Sequence, residues 1–233
     1  MLVLAHRGAN RLAPENTVAA MVRAMELGAD GVELDVHRTA DDHLVVRHDA
    51  GSPSGVLCDL SLAQIRSALP EVPTLAEVLE VCHGGLVNVE IKNLPGDADW
   101  DPGDRAVELL AELLDVRGGI DDVIVSSRNL ATIDRMRALA PDVPTALVTR
   151  DLDPLEGLVM AETHGHSALH PVVWLLGGPV AGAVIQRAHE RGLRVTVWTV
   201  NDADELRRLQ AAGVDAVITD DPDFYPPNLR GWG

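Results

Sequence analysis

Short apolar runs alternate with stretches of helical period along almost the whole chain, the pattern of repeated β-α units around a parallel sheet. Strands are predicted at Leu2–Ala5, Gly31–Val36, Leu86–Ile91, Val123–Ser126, Thr145–Thr149, Ala168–His170, Leu193–Val200 and Ala216–Thr219. Eight strands separated by helices predict an α/β fold of the TIM type, a closed (β/α)8 barrel. The clearest helix runs from Pro14 to Leu27, where Val18, Met21, Val22 and Met25 keep i, i+3, i+4, i+7 spacing and Gly28 supplies the stop. Another begins after Asp202, whose carboxylate caps it while Glu205 answers from three residues on, with Leu206 and Leu209 inward and Gly213 at the end.

Leu44–His48 does not read as a ninth barrel strand. Separated from Val36 by polar Thr39–Asp42, it is predicted to be the return arm of a hairpin that brings His48 back to the barrel mouth. Residues 50–74, rich in Gly, Ser, Pro and Asp, form a short insertion after the second strand, an elaborated loop within a single domain spanning 1–233. The tail after Asp220, with Pro222, Pro226 and Pro227, is expected to trail over the surface. The apolar stretch Val172–Leu176 reads either as a hydrophobic lip beside the mouth or, preferably, as the buried start of a helix.

Composition narrows the function. A formal charge of -17 opposes nucleic acid and anionic bilayers. No apolar run reaches the length of a membrane span, and no targeting segment precedes His6. Cys58 and Cys82 lack metal or redox spacing and read as reduced thiols, so a cytoplasmic setting is expected. With 233 residues and 46% hydrophobic side chains, folding needs neither disulfide nor metal. A metal, if used, points to chemistry.

Glu33 and Asp35 lie two apart on one strand and project to one face, while Val32, Leu34 and Val36 project to the other. Glu90 and Lys92 repeat the arrangement on the next barrel strand. With the apolar set packed on the helices, three carboxylates converge at the C-terminal strand ends, where barrel enzymes place their sites. Such crowding calls for a divalent cation, Mg²⁺ or Ca²⁺ with Mn²⁺ also accommodated, or else for a salt-bridged network. Lys92 is the one lysine among 19 basic residues, placed for charge balance or for a phosphate oxygen. His6 and Arg7 end the first strand, with Gly8 allowing the turn. His6 and His48 are candidate acid-base groups and Arg7 a phosphate clamp. His37, His43, His83, His164, His166 and His189 read as surface or helix positions, and His170 at a strand end has no assigned role.

Taken in order, His6-Arg7-Gly8, Glu15-Asn16-Thr17, Glu33-x-Asp35, His48-Asp49, Glu90-x-Lys92, Trp198-x-x-Asn201, Gly213-Val214-Asp215 and Thr219-Asp220 resemble the glycerophosphodiester phosphodiesterase family over nearly the whole chain. The resemblance implies metal-dependent hydrolysis of a small-molecule glycerophosphodiester to sn-glycerol 3-phosphate and an alcohol. It implies Glu33, Asp35 and Glu90 as metal ligands, His6 and His48 as the acid-base pair, and Arg7 and Lys92 as phosphate ligands. Glu15 then supports these groups, and Trp198 lines the alcohol side. Two departures stand out: Arg128 occupies a position that is usually aromatic, and the hairpin carries Asp41-Asp42 in place of Asp-Gly, a change expected to be cosmetic. The competing readings are a phospholipase-type lyase that forms a cyclic phosphate and a non-catalytic, metal-dependent phosphodiester-binding protein. The oligomeric state is not legible in the sequence.

Overall fold

The computed structural model describes residues 1–118 and 122–223. Its strands are β1 (Leu2–His6), β2 (Gly31–Arg38), β3 (Leu44–Val46), β4 (Gly51–Ser52), β5 (Gly55–Val56), β6 (Leu86–Ile91), β7 (Val123–Ser127), β8 (Thr145–Thr149), β9 (Ala168–Pro171), β10 (Arg194–Val197) and β11 (Ala216–Thr219). The parallel strands run β1-β2-β6-β7-β8-β9-β10-β11, and β11 pairs back onto β1 through Leu2↔Ala216 to Ala5↔Thr219. This closes the expected eight-stranded barrel. The predicted strand Leu193–Val200 is shorter than expected: its regular part ends at Val197, before Trp198 turns toward the barrel mouth.

Register between β2 and β6 sets the chemistry. Val32↔Val87, Leu34↔Val89 and Val36↔Ile91 face the helices, which places Asp35 opposite Glu90 and Glu33 opposite Asn88. The pair starts at Gly31, where an added Cβ would lie 2.0 Å from the Leu86 carbonyl oxygen. The missing side chain is what lets the two strands approach there.

Helices α1 (Val18–Glu26), α2 (Leu62–Ala68), α3 (Leu75–Val81), α4 (Arg105–Arg117), α5 (Leu130–Leu139), α6 (Pro154–His164), α7 (Val180–His189) and α8 (Ala203–Ala211) complete the described regular structure with two short 3₁₀ turns. Met21 and Ala24 of α1, Leu75 and Leu79 of α3, and Leu110 and Leu114 of α4 pack on Val32, Leu34 and Val36. Helix α1 starts four residues later than Pro14, because Thr17 caps it by accepting from the Ala20 N–H. Residues 14–16 instead belong to the site loop, and Val22 faces solvent rather than the core. Helix α8 keeps its Asp202 cap and buries Leu206 and Leu209. Glu205 does not close a capping box; it pairs with Arg208.

Strand β3 runs antiparallel to β2, with Val36↔Val46 and Arg38↔Leu44, as the hairpin reading requires. The Asp41-Asp42 turn is more than cosmetic: Asp42 adopts φ 59°, the conformation glycine takes most easily, and its carboxylate binds Arg105. Residues 50–74 are more ordered than a loop. They hold the β4-β5 hairpin, a 3₁₀ turn and α2, and bury Leu57, Ile65 and Val72 against Val45. Val173–Leu176 forms a 3₁₀ turn and not the start of α7, with Val172 and Leu176 buried and Trp174 exposed. Cys82 is a buried thiol pushed up to about 12 by burial, an inert group. Pro226 and Pro227 lie outside the described residues.

Because a methyl group at Gly31 collides with backbone that cannot yield, Gly31→Ala is expected to destabilise the fold by about 1–3 kcal/mol in urea unfolding. A midpoint shared with the parent protein would contradict the β2-β6 register.

Candidate active site

One cleft at the C-terminal strand ends, about 610 Å³ including its open mouth, is lined by His6, Arg7, Glu33, Asp35, His48 and Glu90 together with Lys92 and Trp198. The residues singled out by sequence thus come together, except that Glu15 stands behind the cleft and reaches it through Arg7. Glu33 and Asp35 are buried, with exposures of 3% and 2%, and one carboxylate oxygen from each of Glu33, Asp35 and Glu90 lies within 4.8 Å of the other two.

Neighbouring cations compensate this crowding unevenly. Lys92 Nζ sits 3.2 Å from Asp35 Oδ1 and 3.4 Å from Glu90 Oε1, and Arg7 Nε lies 3.4 Å from Asp35 Oδ2. Asn16 Nδ2 donates to the same carboxylate at 3.0 Å. Although burial opposes its charge, Asp35 is held below the usual carboxylate range by Lys92, Arg7 and Asn16. Glu33 is less well escorted: burial, then the charge of Asp35, push it up to about 8 against the opposing pull of His6 and Arg7. Burial also opposes the charge of Lys92, but Glu90 and Asp35 raise its pKa. Arg7 Nη1 donates to both Glu15 oxygens at 3.0 Å, which anchors that end of the guanidinium.

Local backbone makes these placements possible. Arg7 and Asn16 both take left-handed φ values, 55° and 58°, and Asn16 N–H donates to the Arg7 carbonyl at 3.0 Å. Gly8 follows at φ 79°, pressed so closely on Ala20 of α1 that a Cβ would meet its backbone at 2.7 Å. The turn swings Arg7 N–H onto Glu33 Oε2 at 3.2 Å.

Each imidazole carries its own carboxylate. His6 Nδ1 donates to Asp220 Oδ1 at 2.6 Å, which leaves Nε2 facing Glu33 Oε2 at 3.9 Å. Burial opposes protonation of His6, yet the Asp220 hydrogen bond and the charge of Glu33 raise its pKa overall. Asp220 also accepts from Asn10 and Asn201, each at 2.6 Å. Against the cost of burial, His6 and these amides hold Asp220 well below the usual range. His48 Nδ1 pairs with Asp49 Oδ1 at 2.7 Å.

A model of the glycerophosphoryl diester phosphodiesterase family matches residues 6–224. A glycerophosphodiester phosphodiesterase of Caldanaerobacter subterraneus is 33% identical over 252 residues, covering 100% of this chain and 99% of the relative. Among solved structures, a glycerophosphodiester phosphodiesterase from Thermotoga maritima superposes with a TM-score of 0.82 at 26% identity, covering 96% of both chains. A phosphodiesterase from Oleispira antarctica, in complex with the product sn-glycerol-3-phosphate, gives a TM-score of 0.83 at 25% identity, covering 96% of this chain and 94% of that one. The chain belongs to the glycerophosphoryl diester phosphodiesterase family. It is an enzyme of that family.

Within this family frame, several site groups carry no strong signal in the sequence. His37 is not a surface residue: its side chain is buried on β2, Nε2 donates to the His48 carbonyl at 3.1 Å, and Nδ1 meets Asp99 Oδ2 at 2.5 Å. The buried pair pins the backbone of His48 from behind. Its strand position next to two site carboxylates was the available clue. Asp220, Asn16 and Asn201 stood in the family-like motifs without an assigned function. His166 is also buried, contrary to expectation, in a cluster with Asp134 and His164. That cluster meets Thr145 at the start of β8 and so lies at the opposite end of the barrel from the cleft.

His170, at the end of β9, faces the cleft fully buried, and neither ring nitrogen has a hydrogen-bond partner among the described residues. Burial pushes its pKa down from 6.5 to about 3. Between those values the unfolded chain binds a proton that the native protein does not, so stability is lost as pH falls through this window. We expect His170→Gln to flatten the acid limb of unfolding free energy by about 1.4 kcal/mol per pH unit. Parallel urea-unfolding profiles for the two proteins would contradict a neutral buried imidazole.

Proposed function

We propose that this chain hydrolyses glycerophosphodiesters to sn-glycerol 3-phosphate and an alcohol, using one divalent cation held by Glu33, Asp35 and Glu90. One observation carries the reading: three carboxylates, two carboxylate-oriented imidazoles, Arg7 and Lys92 share a single cleft. The residues fit a hard cation. The donors are all oxygen, no lysine or arginine side chain among the described residues comes within 4.0 Å of Glu33, and the Asn88 side-chain oxygen beside them is buried without a partner. Mg²⁺ and Ca²⁺ suit such donors, and Mn²⁺ is acceptable. When bound, the cation supplies Lewis-acid polarisation of a phosphoryl oxygen.

The remaining work falls to the chain's own side chains. Arg7, anchored through Nη1 on Glu15, and Lys92 take phosphate oxygens and stabilise the charge that builds on them. Asp220 holds the proton on His6 Nδ1, so that Nε2 is the exchanging nitrogen; Asp49 does the same for His48. One imidazole takes the proton of the attacking oxygen while the other protonates the departing alkoxide. The bond from phosphorus to the alcohol oxygen breaks as the bond to the attacking oxygen forms. Trp198, anchored by its indole N–H on the His170 carbonyl at 2.8 Å, lines the alcohol side.

The product held by the Oleispira antarctica phosphodiesterase supports the glycerophosphate assignment. The family match from 6 to 224 supports one catalytic unit with residues 50–74 as its elaboration. No helix among the described residues is long and apolar enough to cross a membrane. With a charge of -17, this favours soluble head-group diesters in the cytoplasm over a bilayer substrate.

With glycerophosphocholine and Mg²⁺ or Ca²⁺, we expect release of glycerol 3-phosphate in phosphorus NMR. His6→Ala should lower kcat by about 10²- to 10⁴-fold, with cation affinity by calorimetry nearly unchanged. Diester binding without turnover under every cation would favour a binding protein, and accumulation of a cyclic phosphate would favour a lyase. Glu33→Gln or Glu90→Gln should weaken the cation by about tenfold or more, each having lost a charged ligand; unaltered affinity would place the ligands elsewhere.

A further inference from the structure

Cations around the cleft fall into two groups. Arg7 and Lys92, on the arc formed by β1, β2 and β6, are embedded among Glu15, Asp35 and Glu90 and largely neutralised by them. Arg128 and Arg150 line the same cleft from the adjoining arc, immediately beyond the ends of β7 and β8. Their charge is barely compensated. Among the described residues Arg128 Nη2 reaches only Asp151, at 3.3 Å, whose side chain is 79% exposed, a screened surface pair of small worth. Arg150 has no carboxylate within 4.0 Å among the described residues, and its guanidinium lies over the Trp174 ring, 5.6 Å from the centroid. The ring positions Arg150 without neutralising it. In a chain of charge -17, this arc is a local positive surface facing the side of the cleft where Trp198 and His170 stand.

We propose that Arg128 and Arg150 form a second anion-binding subsite, which selects glycerophosphodiesters whose alcohol carries an anionic group of its own, a phosphate or a carboxylate. The inference rests on the hydrolase reading for the reaction, and on the two guanidinium groups for the selectivity. The scissile phosphate occupies the Arg7-Lys92 arc, so a second anion on the alcohol reaches along the rim, past β6, to donors on the next two strands arranged in forks that match either group. A cationic head group is disfavoured twice: the two arginines repel it, and Trp198 is the one Phe, Tyr or Trp side chain among the described residues lining the cleft, too few for an aromatic cage.

The test compares three diesters sharing the glycerophosphate half and adds one carboxylate arm: glycerophosphocholine, glycerophosphoglycerol, bis(glycerophospho)glycerol and glycerophosphoglycolate. At low salt we expect kcat/KM for bis(glycerophospho)glycerol, for glycerophosphoglycolate, or for both, to exceed that for glycerophosphoglycerol by about tenfold, with glycerophosphocholine lowest. The preference should shrink as salt rises. In the Arg128→Glu, Arg150→Glu double variant the order should invert in favour of glycerophosphocholine. Comparable rates for all four diesters, or an order that survives charge reversal, would overturn the subsite and leave the hydrolase reading standing. Calorimetric binding of the same diesters separates the two claims. Tighter binding of the anionic members without turnover would sustain the subsite and refute the hydrolase, and equal binding without turnover would refute both.

Discussion

Three carboxylates held together at the open end of the barrel repel one another, and the rest of that end is organised around this repulsion. The β2-β6 register places Asp35 opposite Glu90, with Glu33 one pleat below. Their side chains cannot turn away, because the alternate residues are packed into the layer between sheet and helices. Lys92, Arg7 and Asn16 settle Asp35 as a carboxylate, while Glu33 is left wanting positive charge. The asymmetry makes the cluster receptive to a hard cation rather than a finished salt-bridge network.

Around that centre, polar groups are used mainly to orient other polar groups. Asp220 is fixed by two asparagine amides before it fixes His6. The buried His37-Asp99 pair holds the carbonyl of His48, and Asp49 takes its ring. Left-handed backbone at Arg7, Asn16 and Gly8 folds the first loop tightly onto α1. Strain of this kind is tolerated where surrounding contacts fix the backbone, and such positions gather at functional sites. The loop turns one short stretch, residues 6–16, into an imidazole, a guanidinium, its supporting carboxylate and an amide on Asp35.

The barrel was legible in the succession of short apolar runs and helical-period stretches, and the inward carboxylates in period-two alternation, which a single sequence displays directly: apolar Val32, Leu34 and Val36 against Glu33 and Asp35. The hairpin was legible from the polar Thr39–Asp42 break between two apolar runs. What escaped depends on contacts between residues far apart in the chain. Asp99 meets His37 across 62 positions, and no local pattern announces it. Helix α1 was drawn too long because Pro14 is a plausible first helical residue, whereas the capping bond from Thr17 decides the start. Residues 50–74 lack strong periodicity since their core is only a few side chains gathered on Val45. Asp42 takes a conformation that glycine more often supplies, and its partner Arg105 lies 63 positions away.

The central claim is that Glu33, Asp35 and Glu90 surround one divalent cation. It is tested most directly by anomalous scattering from crystals grown with Mn²⁺. The account requires a single strong peak bounded by oxygens of all three residues, at ligand distances of about 2.0–2.6 Å. A cleft without such a peak at saturating Mn²⁺, or one whose only strong peak lies at the Asp134-His164-His166 end of the barrel, would contradict it.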